Sequence, residues 1–277
     1  MTSPLRPPFP LPLLRFWFRR LLLMWSLIAF MIFITQVIVC ATVHDSEMVK
    51  VFQSFIKLMP KAVTSLIGGD ALQTGNATAF IAIGYQHPMV LLLFMFFAVA
   101  TPSGLLAGEV QQGRMELILS RSVTKMQSYL CVAALTITGM FALVLAMFSG
   151  TVVGVSIFDF GDDLSLYPFF ILAVNGGLLA SAVAAISLLS SAIFRRRNMA
   201  IGTAAGYLIV NYLIWVTSQW WAPMKPLEPI TPYWYVDGIK IFTEQAWPIG
   251  DMCVLISLMI VAAVAGAIVW RRRDLPL

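Results

Sequence analysis

Chemistry in this sequence would fall to two histidines, three cysteines and thirteen carboxylates, and their positions exclude most of what such groups can do. His44 and His87 stand alone at the ends of long apolar stretches, so they cannot supply the four axial ligands of a two-haem membrane cytochrome. Cys40, Cys131 and Cys253 fall one each in three such stretches with no CxxC pair, which suits small apolar packing residues. The fifteen methionines are scattered mostly singly, again as packing rather than copper handling. There is no HExxH, no GxxxxGK[ST] and no carboxylate pair inside an apolar stretch, so no catalytic residue and no metal-ligand set is expected. No ionisable group lies near the middle of an apolar stretch either. Proton pumps and ion-coupled transporters usually carry one, despite a cost of ~2.5–3.5 kcal/mol on insertion scales. The cluster that remains is 108–125, where Glu109, Gly113, Glu116, Leu117, Arg121 and Lys125 gather between two apolar stretches. Seven residues, about two helical turns, separate the glutamates, which would share one side of a helical segment with Glu109 near its start. Gly113 would weaken or bend that helix.

The elements that must position this cluster follow from composition. Hydrophobic residues make up 60% of the chain and charged ones 11%, against an apolar near-half and a charged quarter in soluble domains. Charge is gathered in short clusters, separated by apolar stretches long enough to cross a hydrocarbon core of ~30 Å. Six stretches qualify, near 21–43, 88–108, 127–155, 167–194, 199–221 and 252–270. Backbone groups in lipid need internal partners, and no stretch shows the alternation of a barrel strand, so the fold class is an all-α polytopic membrane protein. Threaded with the N-terminus inside, all basic residues except Lys50, Lys57, Lys61, Lys225 and Lys240 fall on one side, and every arginine is on that side. The positive-inside rule makes it the cytoplasm, with both termini there. The net charge of +5 is then a topology signal, and no nucleic-acid partner is expected.

Pro4, Pro7, Pro8, Pro10 and Pro12 forbid regular helix at the start, so structure is expected from about Leu13. Residues 1–20 read as a cytoplasmic proline-rich arm followed by a basic interfacial helix. In it Arg15, Arg19 and Arg20 interleave with Leu, Phe and Trp along the inner membrane face before the first span turns across. The first apolar run is too long for a signal-peptide core and is read as a retained span. Residues 21–277 form a single six-helix transmembrane domain. Between the first two spans, polar residues of 47–69 recur at three- and four-residue spacing, as in an amphipathic helix on the outer membrane face bent or divided at Pro60; a substrate gate is the other reading. Asn76 to Thr78 fits a glycosylation sequon. The last outer loop carries Pro223, Pro226, Pro229, Pro232 and Pro248, so it is not a span. Its Trp220, Trp221, Tyr233, Trp234, Tyr235 and Trp247 read as headgroup-level anchors. Asn175 and Asn211 are expected to hydrogen-bond across helices, and Gly202 with Gly206 forms a GxxxG step for helix packing or a dimer seam.

The cluster at 108–125 resembles the membrane subunit of an ABC transporter, of the type 2 permease family that includes drug and polysaccharide exporters. There the second span runs into a loop reading roughly Gly-Glu, then Gly and Glu, then Leu-Leu, a basic or small residue, and Pro-Val-Ser-Arg. Glu109, Gly113, Glu116, Leu117, Leu119, Val123 and Lys125 match, while Ser122 stands where the family usually has proline. The basic amphipathic start, the long first outer loop, six spans and the closing Arg271-Arg272-Arg273 fit as well. The resemblance implies a permease of the bacterial inner membrane, working as a homodimer or heterodimer with separate ATP-binding cassette ATPase subunits. The partner would bind ATP and Mg, this chain would hold no cofactor, and 108–125 would be the coupling loop. A lipid-like, peptide or drug cargo would each tolerate the apolar, lightly polar lining. A membrane-embedded scaffold or assembly factor is the alternative, with a secondary transporter behind it.

Overall fold

Between Leu11 and His44 the chain has one proline, in the first turn where its missing N–H costs nothing, and no glycine. In the computed structural model, which describes residues 10–58, 77–121, 123–160, 164–236 and 238–274, this stretch is one unbroken helix, α1 (Leu11–His44). At 1.5 Å rise per residue it is about 51 Å long, well beyond the ~30 Å hydrocarbon core. Arg15, Arg19 and Arg20 therefore ride on the same helix as the first span. The separate interfacial helix expected over this stretch does not form, because nothing in the sequence breaks the helix at Arg20. Of the proline-rich arm, 1–9 lie outside the described residues, as do 59–76 with Pro60, Asn76 and most of the second half of the amphipathic segment. Its first half is α2 (Ser46–Leu58), where Asp45 Oδ1 accepts from the N–H of Glu47 at 3.0 Å and of Met48 at 3.4 Å.

Next come α3 (Ala77–Gln86) and α4 (Pro88–Gln111), the second span. Pro102 removes a donor from α4, and the ladder slips into a π turn over Ser103–Ala107 before regaining α geometry at Gly108–Gln111. A short α5 (Arg114–Leu119) leads to α6 (Lys125–Phe158). Thr124 and Gln127 close the start of α6 as a capping box, each side chain accepting from the other's backbone N–H, at 3.2 and 2.9 Å. Then follow α7 (Tyr167–Ile193) and α8 (Arg197–Ser218). In the last outer loop Pro223, Pro226, Pro229 and Pro232 recur every third residue. A 3-10 helix has three residues per turn, and 3-10 segments form at Ala222–Ile230 and Pro232–Tyr235. The chain ends through α9 (Gly238–Glu244) and α10 (Ile249–Arg272).

Six of these helices are long and apolar enough to span a membrane: α1, α4, α6, α7, α8 and α10. The protein is an all-α polytopic, multi-pass membrane protein, with no strand among the described residues. Helix α7 is the central post. Two-thirds of its apolar stretch is buried, against 17% for α1 and α10. It packs on α4, α6, α8 and α10, and α1 lies along α6. The outward faces of α1, α8 and α10 carry exposed Leu23, Phe30, Ile209, Leu213, Val261 and Val264, a surface suited to lipid and not to water.

Close approach between helices is made by glycines other than Gly202 and Gly206. A Cβ on Gly150 would lie 2.5 Å from the carbonyl oxygen of Phe33, and one on Gly154 would lie 2.7 Å from Cys40. Gly150 and Gly154 are thus the GxxxG seam that lets α1 lie against α6. Gly202 and Gly206 have nothing within 4 Å of a would-be Cβ in the protomer. Neither asparagine bonds across to another span. Asn175 Nδ2 donates to the Tyr235 carbonyl at 3.1 Å, holding the outer loop, and Asn211 Nδ2 donates to Tyr207 O of its own helix at 2.8 Å. In that loop Trp220, Trp221, Trp234 and Trp247 are exposed as headgroup-level anchors should be, whereas Tyr233 is buried against Tyr212 and Trp215 of α8.

The arginine-rich ends meet at one end of the bundle, joined by the Arg20–Glu109, Gln111–Arg197, Lys125–Arg273 and Arg195–Asp274 contacts. Reporter fusions after Lys125, Arg197 and Arg273 are expected to read cytoplasm, and one at Pro229 the outside. A cytoplasmic signal at Pro229 would break the six-span arrangement.

Candidate functional site

The turn between α4 and α5 depends on Gly113. Its φ of 68° and ψ of 0° lie in the left-handed region, which other residues enter at a cost of roughly 1–2 kcal/mol. The chain changes direction there, so the two glutamates that a continuous helix would align are on different helices. Glu109 sits in the last turn of α4 and not near a helix start. Its side chain is 1% exposed, while Glu116, on α5, is exposed.

A carboxylate at a helix C-terminus opposes the helix dipole, and burying it adds a desolvation cost. Two arginines offset both. Arg114 grips Glu109 as a fork, Nε to Oε2 at 2.8 Å and Nη2 to Oε1 at 2.9 Å, and Arg20 on α1 binds Oε1 from the other side. The hydrogen bonds to Glu109 raise the pKa of the Arg114 guanidinium above its ordinary value. The arrangement ties the N-terminal extension of α1 to the start of α5 through the end of α4.

Three further links join this corner to the other spans. Gln111 Oε1 accepts the backbone N–H of Arg197 at 2.8 Å, satisfying a donor at the start of α8 that no side chain of that helix caps. The Arg197 side chain passes over Gly104 and Gly108, 3.8 and 3.5 Å from where their Cβ atoms would be. Met115, 1% exposed, plugs α5 into an apolar cluster with Trp17, Leu105, Leu106, Tyr129 and Leu135. Lys125 is half-buried and not a free surface charge: its Nζ donates to Arg273 O at 2.7 Å and its carbonyl accepts from Trp270 Nε1 at 2.9 Å. Arg273 in turn donates to Ala192 O at 2.9 Å and lies over the Trp270 ring. Burial, then the nearby Arg195, lowers its pKa.

Of the residues expected in the cluster, Glu116, Leu117 and Arg121 face outward, Leu117 at 68% exposure. Gly113 shapes the turn, and Glu109 and Lys125 are internal fasteners. Arg15 and Arg19 are exposed on α1, and only Arg20 joins the corner. Gln111, Arg114, Met115, Trp17 and Trp270 were not singled out by sequence reasoning. Arg114, five residues from Glu109 across a glycine, carried the one signal that could have been read. Among the described residues, no three His, Cys, Asp or Glu side chains gather as metal ligands. No protein-family model, curated protein or solved structure matches this chain.

Proposed function

We propose that this chain is the permease subunit of an ATP-binding-cassette exporter in a bacterial inner membrane, moving its substrate on ATP hydrolysis by a separate partner subunit. The observation that carries the reading is the two-sidedness of α5. Its inner side is pinned by Met115 and by the Arg114–Glu109–Arg20 link, while its outer side offers Leu117 beside Glu116. A chain with no phosphate-binding loop must receive work mechanically, through an element that both seats in the partner and is stiffly joined to the spans. Helix α5 has both properties, with ties to α1 and α4 directly and to α8 through Gln111. The exposed Leu117 is an interface anchor, since an apolar side chain left open at 68% gains from being covered.

Magnitudes decide how to test this. An exposed charge pair is worth ~0–1 kcal/mol, so Glu116→Arg weakens partner binding chiefly through the repulsion it introduces. Burying a leucine is worth ~1.5–3 kcal/mol, so Leu117→Asp should reduce co-purification of an ATPase subunit in mild detergent about tenfold or more. Both variants should reach wild-type membrane levels, because α5 lies outside the spans, and both should lower substrate-stimulated ATP hydrolysis, Leu117→Asp the more. Wild-type ATPase recovery and hydrolysis in both would remove α5 as the coupling element and the main support for the transporter reading.

A further inference from the structure

The closing arginines are not equivalent. Arg273 is engaged inside the protein, on Ala192 O and the Trp270 ring. Arg271 and Arg272 are exposed, and among the described residues neither has a protein partner. Asp274, the carboxylate nearest in sequence, pairs with neither. They line a groove of about 640 Å³ between α6 and α10, whose other walls are Met126, Val264, Ala267 and Ile268. On α10, Val264, Ala267, Ile268, Arg271 and Arg272 follow one another at intervals of three, one, three and one, so they form a single face. That face is apolar toward the bilayer interior and doubly cationic at its cytoplasmic end, over a helical rise of about 12 Å. The negative end of the α10 dipole holds the two guanidinium groups there without an acidic side chain. Among the described residues no carboxylate offsets them, and a lipid phosphate at the depth of the headgroups is placed to do so.

We infer that this groove is a binding site for an anionic phospholipid of the cytoplasmic leaflet, its phosphate held by Arg271 and Arg272 and an acyl chain lying along Val264 and Ile268. The commitment to lipid rests on charge complementarity joined to an apolar track: a free phosphate uses only the first, and a zwitterionic lipid brings no net charge to offset two cations. The inference is independent of the transport reading, since it needs only that the chain spans a membrane.

The test is native mass spectrometry of the detergent-purified protein titrated with phosphatidylglycerol and, separately, phosphatidylcholine. Wild type should retain phosphatidylglycerol preferentially. A basic residue near an anionic membrane surface contributes about fivefold in affinity, so Arg271→Gln with Arg272→Gln should weaken phosphatidylglycerol binding roughly 25-fold and erase the preference. Removing the same charge elsewhere, by Arg121→Gln with Arg196→Gln, should leave it. Ile268→Trp, which fills the groove and keeps both arginines, should weaken binding without changing net charge, and Arg271→Lys with Arg272→Lys should preserve the preference for the anionic lipid. The inference is overturned if wild type shows no preference, if the control pair loses as much as the groove pair, if Ile268→Trp binds as wild type, or if excess inorganic phosphate displaces the lipid.

Discussion

Gly150→Leu is expected to part α1 from α6 and to lower the unfolding midpoint of the purified protein sharply. A side chain at Gly150 would start 2.5 Å from the backbone oxygen of Phe33 and 2.9 Å from Cβ of Gln36. Backbone cannot swing aside as a side-chain tip can, so the helices themselves must separate. Overpacking costs ~1–3 kcal/mol even for small additions, and the branched leucine belongs at or above the top of that range, whereas Gly150→Ala falls within it. One turn on, a Cβ at Gly154 would lie 2.7 Å from Cys40, so the seam cannot pivot to relieve the clash. Gly202→Leu is the contrast. A Cβ there meets nothing within 4 Å and the position is exposed, so its effect on protomer stability should stay within ~0.5 kcal/mol. If α8 packs against a second copy of this chain, Gly202→Leu with Gly206→Leu would instead reduce recovery of dimer. Thermal unfolding in detergent at matched expression checks both; a wild-type midpoint for Gly150→Leu would refute the α1–α6 seam.

Removing both arginines from Glu109 should destabilise more than removing Glu109 itself. Arg20→Ala with Arg114→Ala strands a carboxylate whose side chain is 1% exposed, and leaving a buried charge unpaired costs ~3–5 kcal/mol. Glu109→Ala leaves two guanidinium groups that are 43% and 42% exposed and can rehydrate, so ~1–2 kcal/mol is expected. Either single arginine variant keeps one partner and should fall below the double. Because the link holds α5 to its seat, Glu109→Ala and the double arginine variant should both speed tryptic cleavage after Arg121 in inside-out vesicles, where α5 faces the protease. Equal losses for Glu109→Ala and the double arginine variant, or no change in cleavage, would show that the three residues do not act as a unit.

The spans were legible because lipid imposes one requirement on every segment: about twenty apolar residues with their backbone groups satisfied internally. Charge at the borders marks where each span ends in the same way, and the topology fusions read which side is which. The continuity of α1 was not anticipated because Arg15, Arg19 and Arg20 look like an interfacial pattern, whereas no helix breaker follows them to separate that stretch from the span. GxxxG spacing marks where helices can approach but not which face has a neighbour. That is why Gly202 and Gly206 drew attention, although Gly150 and Gly154 make the contact. The burial of Glu109 depends on Arg20, 89 residues away, and on a left-handed turn at Gly113. Neither leaves a periodic trace in sequence. What sequence did carry was the site's location, since charge clustered between spans has few places to go other than the membrane surface.

The central position of α7 bears on how the protein is made. Synthesis runs from the N-terminus, and α1, α4 and α6 reach the bilayer before the helix on which α4 and α6 pack. Helix α1 packs chiefly on α6, so the Gly150 seam is available to the nascent chain as soon as α6 is inserted. The small residues of α7, Ala180, Ala184 and Ala185 among them, meanwhile have no partners until α7 itself arrives. A chain halted after α6 would therefore hold a paired α1 and α6, with α4 joined to them through Arg20–Glu109 but lacking the α7 face it packs on. Assembly becomes committed with the fourth span, and the two that follow dock onto a post already standing.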